Sequence, residues 1–169
     1  MKKIIIIGCP GSGKTTLANK LGDFLHIPVY HLDKLFWKDN WIPSHQVDFI
    51  KAQNEIMEKD RWIVDGGFVK SKSFDIRLNN ADAIVFFDFP KVVIFWRTIK
   101  RFFVNFNKVR PDMGGNNKQK VPLSWGQVKF AMSYPTQKVY EKVMSFSQTK
   151  KIVILRTKKE EATFLKSLI

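Results

Sequence analysis

The segment Gly8-Cys9-Pro10-Gly11-Ser12-Gly13-Lys14-Thr15 constrains this chain more than any other stretch. It has the spacing G-x-x-x-x-G-K-[ST], and its flanks match what that spacing needs. Before it stands the uninterrupted β-branched run Ile4-Ile5-Ile6-Ile7, the composition of a strand buried on both faces. After it, Thr16 to Leu25 places Leu17, Leu21, Phe24 and Leu25 on one helical face. Strand, loop and helix in this order make a phosphate-binding loop. Its glycines let backbone N–H groups converge on phosphate oxygens, Lys14 reaches the terminal phosphates, and Thr15 offers a hydroxyl to Mg²⁺. The candidate nucleotide-binding set is Gly8, Gly11, Ser12, Gly13, Lys14, Thr15 and Thr16.

Further strands are expected at Ile27 to Leu32, Arg61 to Val64, Ala81 to Asp88 and Lys151 to Leu155. Helices are expected over Gln46 to Lys59, with Val47, Ile50, Asn54 and Met57 in register, and over Ser73 to Asn79. Strands alternating with helices predict an α/β fold with a parallel sheet, whose ligands gather at the strand carboxyl ends. Two helical stretches, Val92 to Phe106 and Ser124 to Phe146, flank a Lys-, Asn- and Gly-rich join from Asn107 to Pro122. A join of that length reads as a functional loop or as disordered. The 169 residues suit one domain spanning 1–169.

Charge is unevenly placed. Residues 1–90 hold 12 basic and 11 acidic side chains, whereas residues 91–158 hold 15 and 2. Such a surplus attracts phosphates on nucleotides, nucleic acids or anionic lipids without choosing among them. The lone Cys9 permits no intrachain disulfide and is expected to fill a loop position. The N-terminal apolar run is too short for a signal segment, and Ala83 to Trp96 is broken by Asp88, Pro90 and Lys91. A cytoplasmic protein without a membrane segment is the expectation.

Asp65 follows a strand and precedes Gly66-Gly67, so its carboxylate emerges at the sheet edge that carries the phosphate loop. It is the candidate Mg²⁺ partner, and Gly66 and Gly67 would let backbone approach a small substrate, although Asp-Gly-Gly is also ordinary turn chemistry. Asp33, after the second strand, is a candidate for binding or deprotonating an acceptor, or else caps a short helix. Arg97 and Arg101, four apart, share a helix face, and Arg110 opens the long join. Guanidinium groups stabilise the charge of a transferring phosphoryl group, and a solvated basic face is the alternative. Phe36, Trp37 and Trp41 suit either ring stacking or packing, while Phe95, Trp96, Phe102, Phe103 and Phe106 are expected in a helix core. The three histidines show no metal-ligand spacing.

Together with the loop, Val29-Tyr30-His31-Leu32-Asp33-Lys34-Leu35-Phe36-Trp37, Trp62-Ile63-Val64-Asp65-Gly66, Asp75-Ile76-Arg77-Leu78, Phe87-Asp88-Phe89-Pro90 and Arg110-Pro111-Asp112-Met113 resemble the bacterial DNA topology modulation (FlaR-like) proteins, relatives of adenylate kinase. The resemblance implies a P-loop kinase fold with a five-stranded parallel sheet flanked by helices and a basic lid at about 107–122, using ATP and Mg²⁺ on a small-molecule acceptor. It implies phosphoryl-stabilising roles for Lys14, Arg97 and Arg101, a nucleotide contact for Arg110, and Asp65-Gly66 as the Asp-Gly that ends the third strand. Where adenylate kinases continue Asp-Gly-Phe-Pro-Arg, this chain reads Asp65-Gly66-Gly67-Phe68-Val69 and lacks the arginine that grips a nucleoside monophosphate. Arg77 is the candidate substitute. Asp33 resembles the acid that shikimate and gluconate kinases use to hold acceptor hydroxyls. The family label adds a second expectation, a nucleotide-regulated DNA-binding protein whose basic segment grips the phosphate backbone without sequence preference.

Overall fold

In the computed structural model, which describes residues 1–105, 114 and 125–168, the isoleucine run is the centre of the molecule. Strand β1 (Lys3–Gly8) pairs in parallel with β3 (Trp62–Asp65) on one side and β4 (Ala83–Phe87) on the other. The edges are β2 (Val29–His31) beside β3 and β5 (Lys151–Leu155) beside β4, giving the order β2-β3-β1-β4-β5, all parallel. Ile4 to Ile7 are buried, and each side chain contributes about 2 kcal/mol from apolar burial. The predicted α/β architecture and all five strands are present. Strand β2 is shorter than expected because Leu32 already opens the short helix α2 (Leu32–Phe36).

Helices α1 (Lys14–Leu25), α3 (Gln46–Met57), α4 (Ser73–Asn80), α5 (Lys91–Asn105), α6 (Trp125–Met132), α7 (Thr136–Met144) and α8 (Lys158–Lys166) complete the described fold. Three apolar-face expectations need correction. In α1 the buried stripe is Leu17, Ala18, Leu21 and Gly22, and Phe24 faces solvent. In α3 the buried residues are Phe49, Gln53, Ile56 and Met57, while Val47 is 77 % exposed. Gln53 tolerates burial because its amide donates to the Phe49 carbonyl and accepts from Ser73 Oγ. In α5, Trp96 and Phe103 lie outward instead of in the core. The helix expected from Ser124 to Phe146 is split at Ser133 to Pro135, since proline lacks the N–H that would continue it. The sequence reading passed over α8, whose first turn is capped by Thr157 Oγ1 accepting from the Glu160 amide.

Candidate functional site

The loop between β1 and α1 lies at the carboxyl edge of the sheet. Gly8 has φ +146°, and a Cβ there would lie 2.7 Å from the Phe87 carbonyl oxygen, so only glycine lets the loop leave the strand. The loop closes through the Ser12 amide on the Cys9 carbonyl at 3.2 Å, and Lys14 Nζ donates to the same carbonyl at 2.9 Å. Ser12 is fully buried, and its hydroxyl has no hydrogen-bond partner among the described residues. Cys9 is buried, with Sγ donating to the Ala131 carbonyl at 3.0 Å, as a packing residue. Thr15 is half-buried in the first turn of α1, and Thr16 is exposed beside it.

Helix α5 reaches this loop from the other side. Arg97 Nη1 donates to the Ser12 carbonyl at 2.9 Å, and its guanidinium lies 4.4 Å from the centre of the Phe89 ring. Its other N–H groups make no hydrogen bond among the described residues, so they are available to an anion at the loop. The backbone of Arg101 lies one turn further along α5, and its side chain is outside the described residues, as is Arg110. Of the expected lid segment only Gly114 is described, buried against the carbonyls of Trp37 and Lys34. Lys158, absent from the sequence reading, opens α8 with Nζ 3.6 Å from where a Gly13 Cβ would sit, held by Glu161 at 2.5 Å. A lysine just past the last strand is a weak signal in a chain with so many.

Asp65 ends β3 opposite Ile6, and the Gly66 amide donates to the Ile6 carbonyl at 3.3 Å. Its buried carboxylate is held on one side only. His31 Nδ1 lies 3.0 Å from Oδ2, while Oδ1 has no hydrogen-bond partner among the described residues. A buried carboxylate oxygen left unsatisfied fits the water shell of a Mg²⁺ ion, for which Thr15 would be the loop hydroxyl. Among the described residues no cluster of three or more His, Cys, Asp or Glu could hold a metal ion. His31 is a site residue that sequence reasoning missed. Strand register places it beside Asp65, 34 positions away.

Asp33 is half-buried in the first turn of α2, and the N-cap is His31, so Asp33 is not the cap that one reading allowed. Gly66 has φ +146°, and its Cα is pressed against the neighbouring Leu32, 2.7 Å from Cβ to where a Gly66 Cβ would sit. Phe36 packs edge-on against Trp37 and Phe49 and lies 5.0 Å from Phe68, so the aromatic group near Asp33 forms a wall along the Gly66 to Phe68 loop. Phe68 itself holds φ 37°, unusual for a side-chain-bearing residue.

Arg77 corrects the sequence expectation most. It is fully buried on α4, so it is not placed as a direct substrate ligand. Nη1 donates to the Gly66 carbonyl at 3.0 Å, Nη2 to those of Gly67 and Phe68 at 3.0 and 3.2 Å, and Nε to Ser73 at 3.4 Å. Burial pushes its guanidinium down to about 9, still protonated at neutral pH.

Residues 4–108 match a family model described as AAA domain. Three solved structures share the fold. A gluconokinase from Sinorhizobium meliloti 1021 is 16% identical over 99% of this chain and 93% of its own, with a TM-score of 0.58. Shikimate kinase from Acinetobacter baumannii in complex with shikimate is 13% identical over 99% and 90%, with a TM-score of 0.64. Shikimate kinase from Bacteroides thetaiotaomicron is 18% identical over 98% and 94%, with a TM-score of 0.54. No curated protein matches the chain in sequence. Among the described residues no helix is long and apolar enough to cross a membrane.

Proposed function

We propose, since the chain belongs to the AAA domain family, that it is an ATP-dependent kinase that moves the γ-phosphoryl group of ATP to a hydroxyl of a small acceptor. The observation that carries this reading is the carboxyl edge of the sheet. There Asp65, with one buried oxygen open, stands beside a phosphate loop backed by Lys14 and Arg97. The fold shared with gluconokinase and shikimate kinase supports it.

On this reading the loop amides and Lys14 hold the triphosphate, and Thr15 and Asp65 hold the hydrated Mg²⁺, which would neutralise charge between the phosphates. Asp33 orients the acceptor hydroxyl and accepts its proton, while Arg97 and Arg101 stabilise the charge on the equatorial oxygens. Arg110 and the basic segment at about 107–122, expected as a nucleotide contact and a lid, lie outside the described residues apart from Gly114. Catalysis is then positioning and electrostatics. The finer likeness, to FlaR-like proteins, fits the absence of the arginine after Asp65-Gly66-Gly67-Phe68 and points away from a nucleoside monophosphate gripped in the adenylate-kinase manner.

The test is incubation with Mg²⁺-ATP and a panel of nucleosides, nucleoside monophosphates and small hydroxy acids, following ADP and phosphorylated product, with Lys14→Ala as control. Product from one acceptor class, lost in the variant, is expected. ATP binding without acceptor-dependent turnover would overturn the kinase. Salt-sensitive binding to duplex DNA, falling steeply between about 50 and 200 mM salt, would then favour a nucleic-acid role.

A further inference from the structure

Helix α5 is apolar on two opposite faces. Its inner face holds Ile94 and Thr98, both buried, with Thr98 Oγ1 2.8 Å from where a Gly11 Cβ would sit, and Arg97 beside them bonds the Ser12 carbonyl. At about 100° per residue, Val92, Trp96, Ile99 and Phe103 fall on the face turned away from that contact. Val92, Trp96 and Phe103 are 69%, 63% and 72% exposed, and Ile99 is half-buried. The stripe runs about 17 Å along the helix at the usual rise per residue. Packing against the phosphate loop does not call for it, and a contiguous apolar stripe with two large aromatic rings in water marks an interaction surface.

The charge around this stripe is of one sign. Lys91 and Lys100 of α5 are exposed, as is Lys129 of α6, which packs on α5, and none of the three forms an ion pair among the described residues. From Phe89 to Tyr140 the sequence has 10 basic side chains and one carboxylate, Asp112. A second copy seated face to face would set lysines against lysines, with no acid on α5 or α6 to answer them. A nucleic-acid backbone would answer the lysines and leave Val92 and Ile99 against phosphate. An anionic lipid surface suits both parts. Apolar and aromatic side chains enter the boundary between headgroups and acyl chains, while lysine stems lie along it and their ammonium groups reach the lipid phosphates.

We infer that the outer face of α5, formed by Val92, Trp96, Ile99 and Phe103 with Lys91 and Lys100, is a peripheral docking surface for an anionic lipid membrane. With 15 residues the helix is too short to span a bilayer, so it lies on the surface. The phosphate loop then stands behind α5, one helix diameter, about 10 Å, from the lipid headgroups. Whatever is done at the loop is done beside a membrane, and the inference stands whichever acceptor the loop serves.

The test is co-sedimentation of the full chain with vesicles, one set an equal mixture of phosphatidylglycerol and phosphatidylcholine, the other phosphatidylcholine alone. Pelleting is expected with the anionic vesicles, at least tenfold weaker with the neutral ones, and falling as salt rises. Trp96→Ser should weaken it about tenfold or more at an unchanged urea midpoint, and Lys100→Gln about fivefold. Val47→Ser, which removes an equally exposed apolar side chain from α3, should leave it unchanged. If Trp96→Ser fails to fold, Lys100→Gln and the Val47→Ser control decide. Equal pelleting with neutral vesicles, or loss in Val47→Ser as large as in Trp96→Ser, would overturn the surface as assigned. Sedimentation velocity without lipid gives the other occupants. A dimer that Trp96→Ser dissolves assigns the face to a second copy, and a monomer that no vesicle pellets leaves it to an acidic protein partner. Either result overturns the lipid reading.

Discussion

The two halves of the sheet edge are built on different plans. On the nucleotide side, Gly8 to Thr15 are contiguous, and the loop closes within one short segment, the Ser12 amide and Lys14 Nζ both donating to the Cys9 carbonyl. On the other side the parts are dispersed: Asp33, proposed to meet the acceptor, comes from α2, Gly66 to Phe68 follow β3, and Arg77, which holds that loop, comes from α4. A local site tolerates change elsewhere in the chain, whereas a composite one fails when a distant clamp is lost. Substitutions in the two halves should therefore divide between chemistry and stability.

Arg77→Leu should have the largest effect. It leaves the carbonyls of Gly66, Gly67, Phe68 and Ser73 without their donor in a buried site, and should cost about 3–5 kcal/mol in urea denaturation. Lys14→Ala should do the opposite. Acceptor-dependent turnover should fall by about 100-fold or more with the urea midpoint nearly unchanged. A stable Arg77→Leu protein, or an unstable Lys14→Ala one, would break the contrast.

Gly66→Ala sharpens it within one loop. A methyl there meets Leu32 Cβ at 2.7 Å with the backbone at φ +146°, costing about 1–3 kcal/mol, while Gly67→Ala meets nothing closer than 3.7 Å and should be mild. Thermal melts of the pair give the difference. His31→Leu should lower Mg²⁺ affinity about tenfold, measured as the Mg²⁺ dependence of ADP binding, because Asp65 loses the partner that orients it. Equal Mg²⁺ dependence in variant and parent would remove His31 from the site.

The smallest effect lies far from the site. Asp82 opposes its own partial burial by accepting from the Lys2 and Lys3 amides at 2.9 and 3.0 Å, which hold its carboxyl below the usual range. The folded state therefore binds that proton less tightly than the unfolded chain. The stabilisation is full above about pH 4 and is lost as pH falls through the folded value. Asp82→Ala should cost less than about 1 kcal/mol at pH 7 and nothing at the acid end, read from urea midpoints against pH.

Much of this was legible in the residues. The phosphate loop, the five strands, Asp65 at the end of β3 and Asp33 just past β2 follow from spacing and from strand-to-helix order, since both are local properties. The faces of α1 and α3 were misread because helical periodicity alone cannot tell which stripe meets the sheet, and a buried Gln53 bonded to Ser73 looks polar in sequence. Trp96 and Phe103 were misplaced for a related reason, as large apolar residues on a helix signal burial only when another element covers them.

The sequence by itself determined the phosphate loop, the parallel α/β order and the acidic residues at the strand ends, because each depends on neighbours a few residues apart. Only the tertiary structure decided that His31 holds Asp65, that Arg77 is a buried clamp and not a ligand, and that Tyr134 comes to rest against Gly67. Those relations join residues separated in the chain, 34 positions for His31 and Asp65, and strand register and helix packing, which set them, are properties of the folded whole.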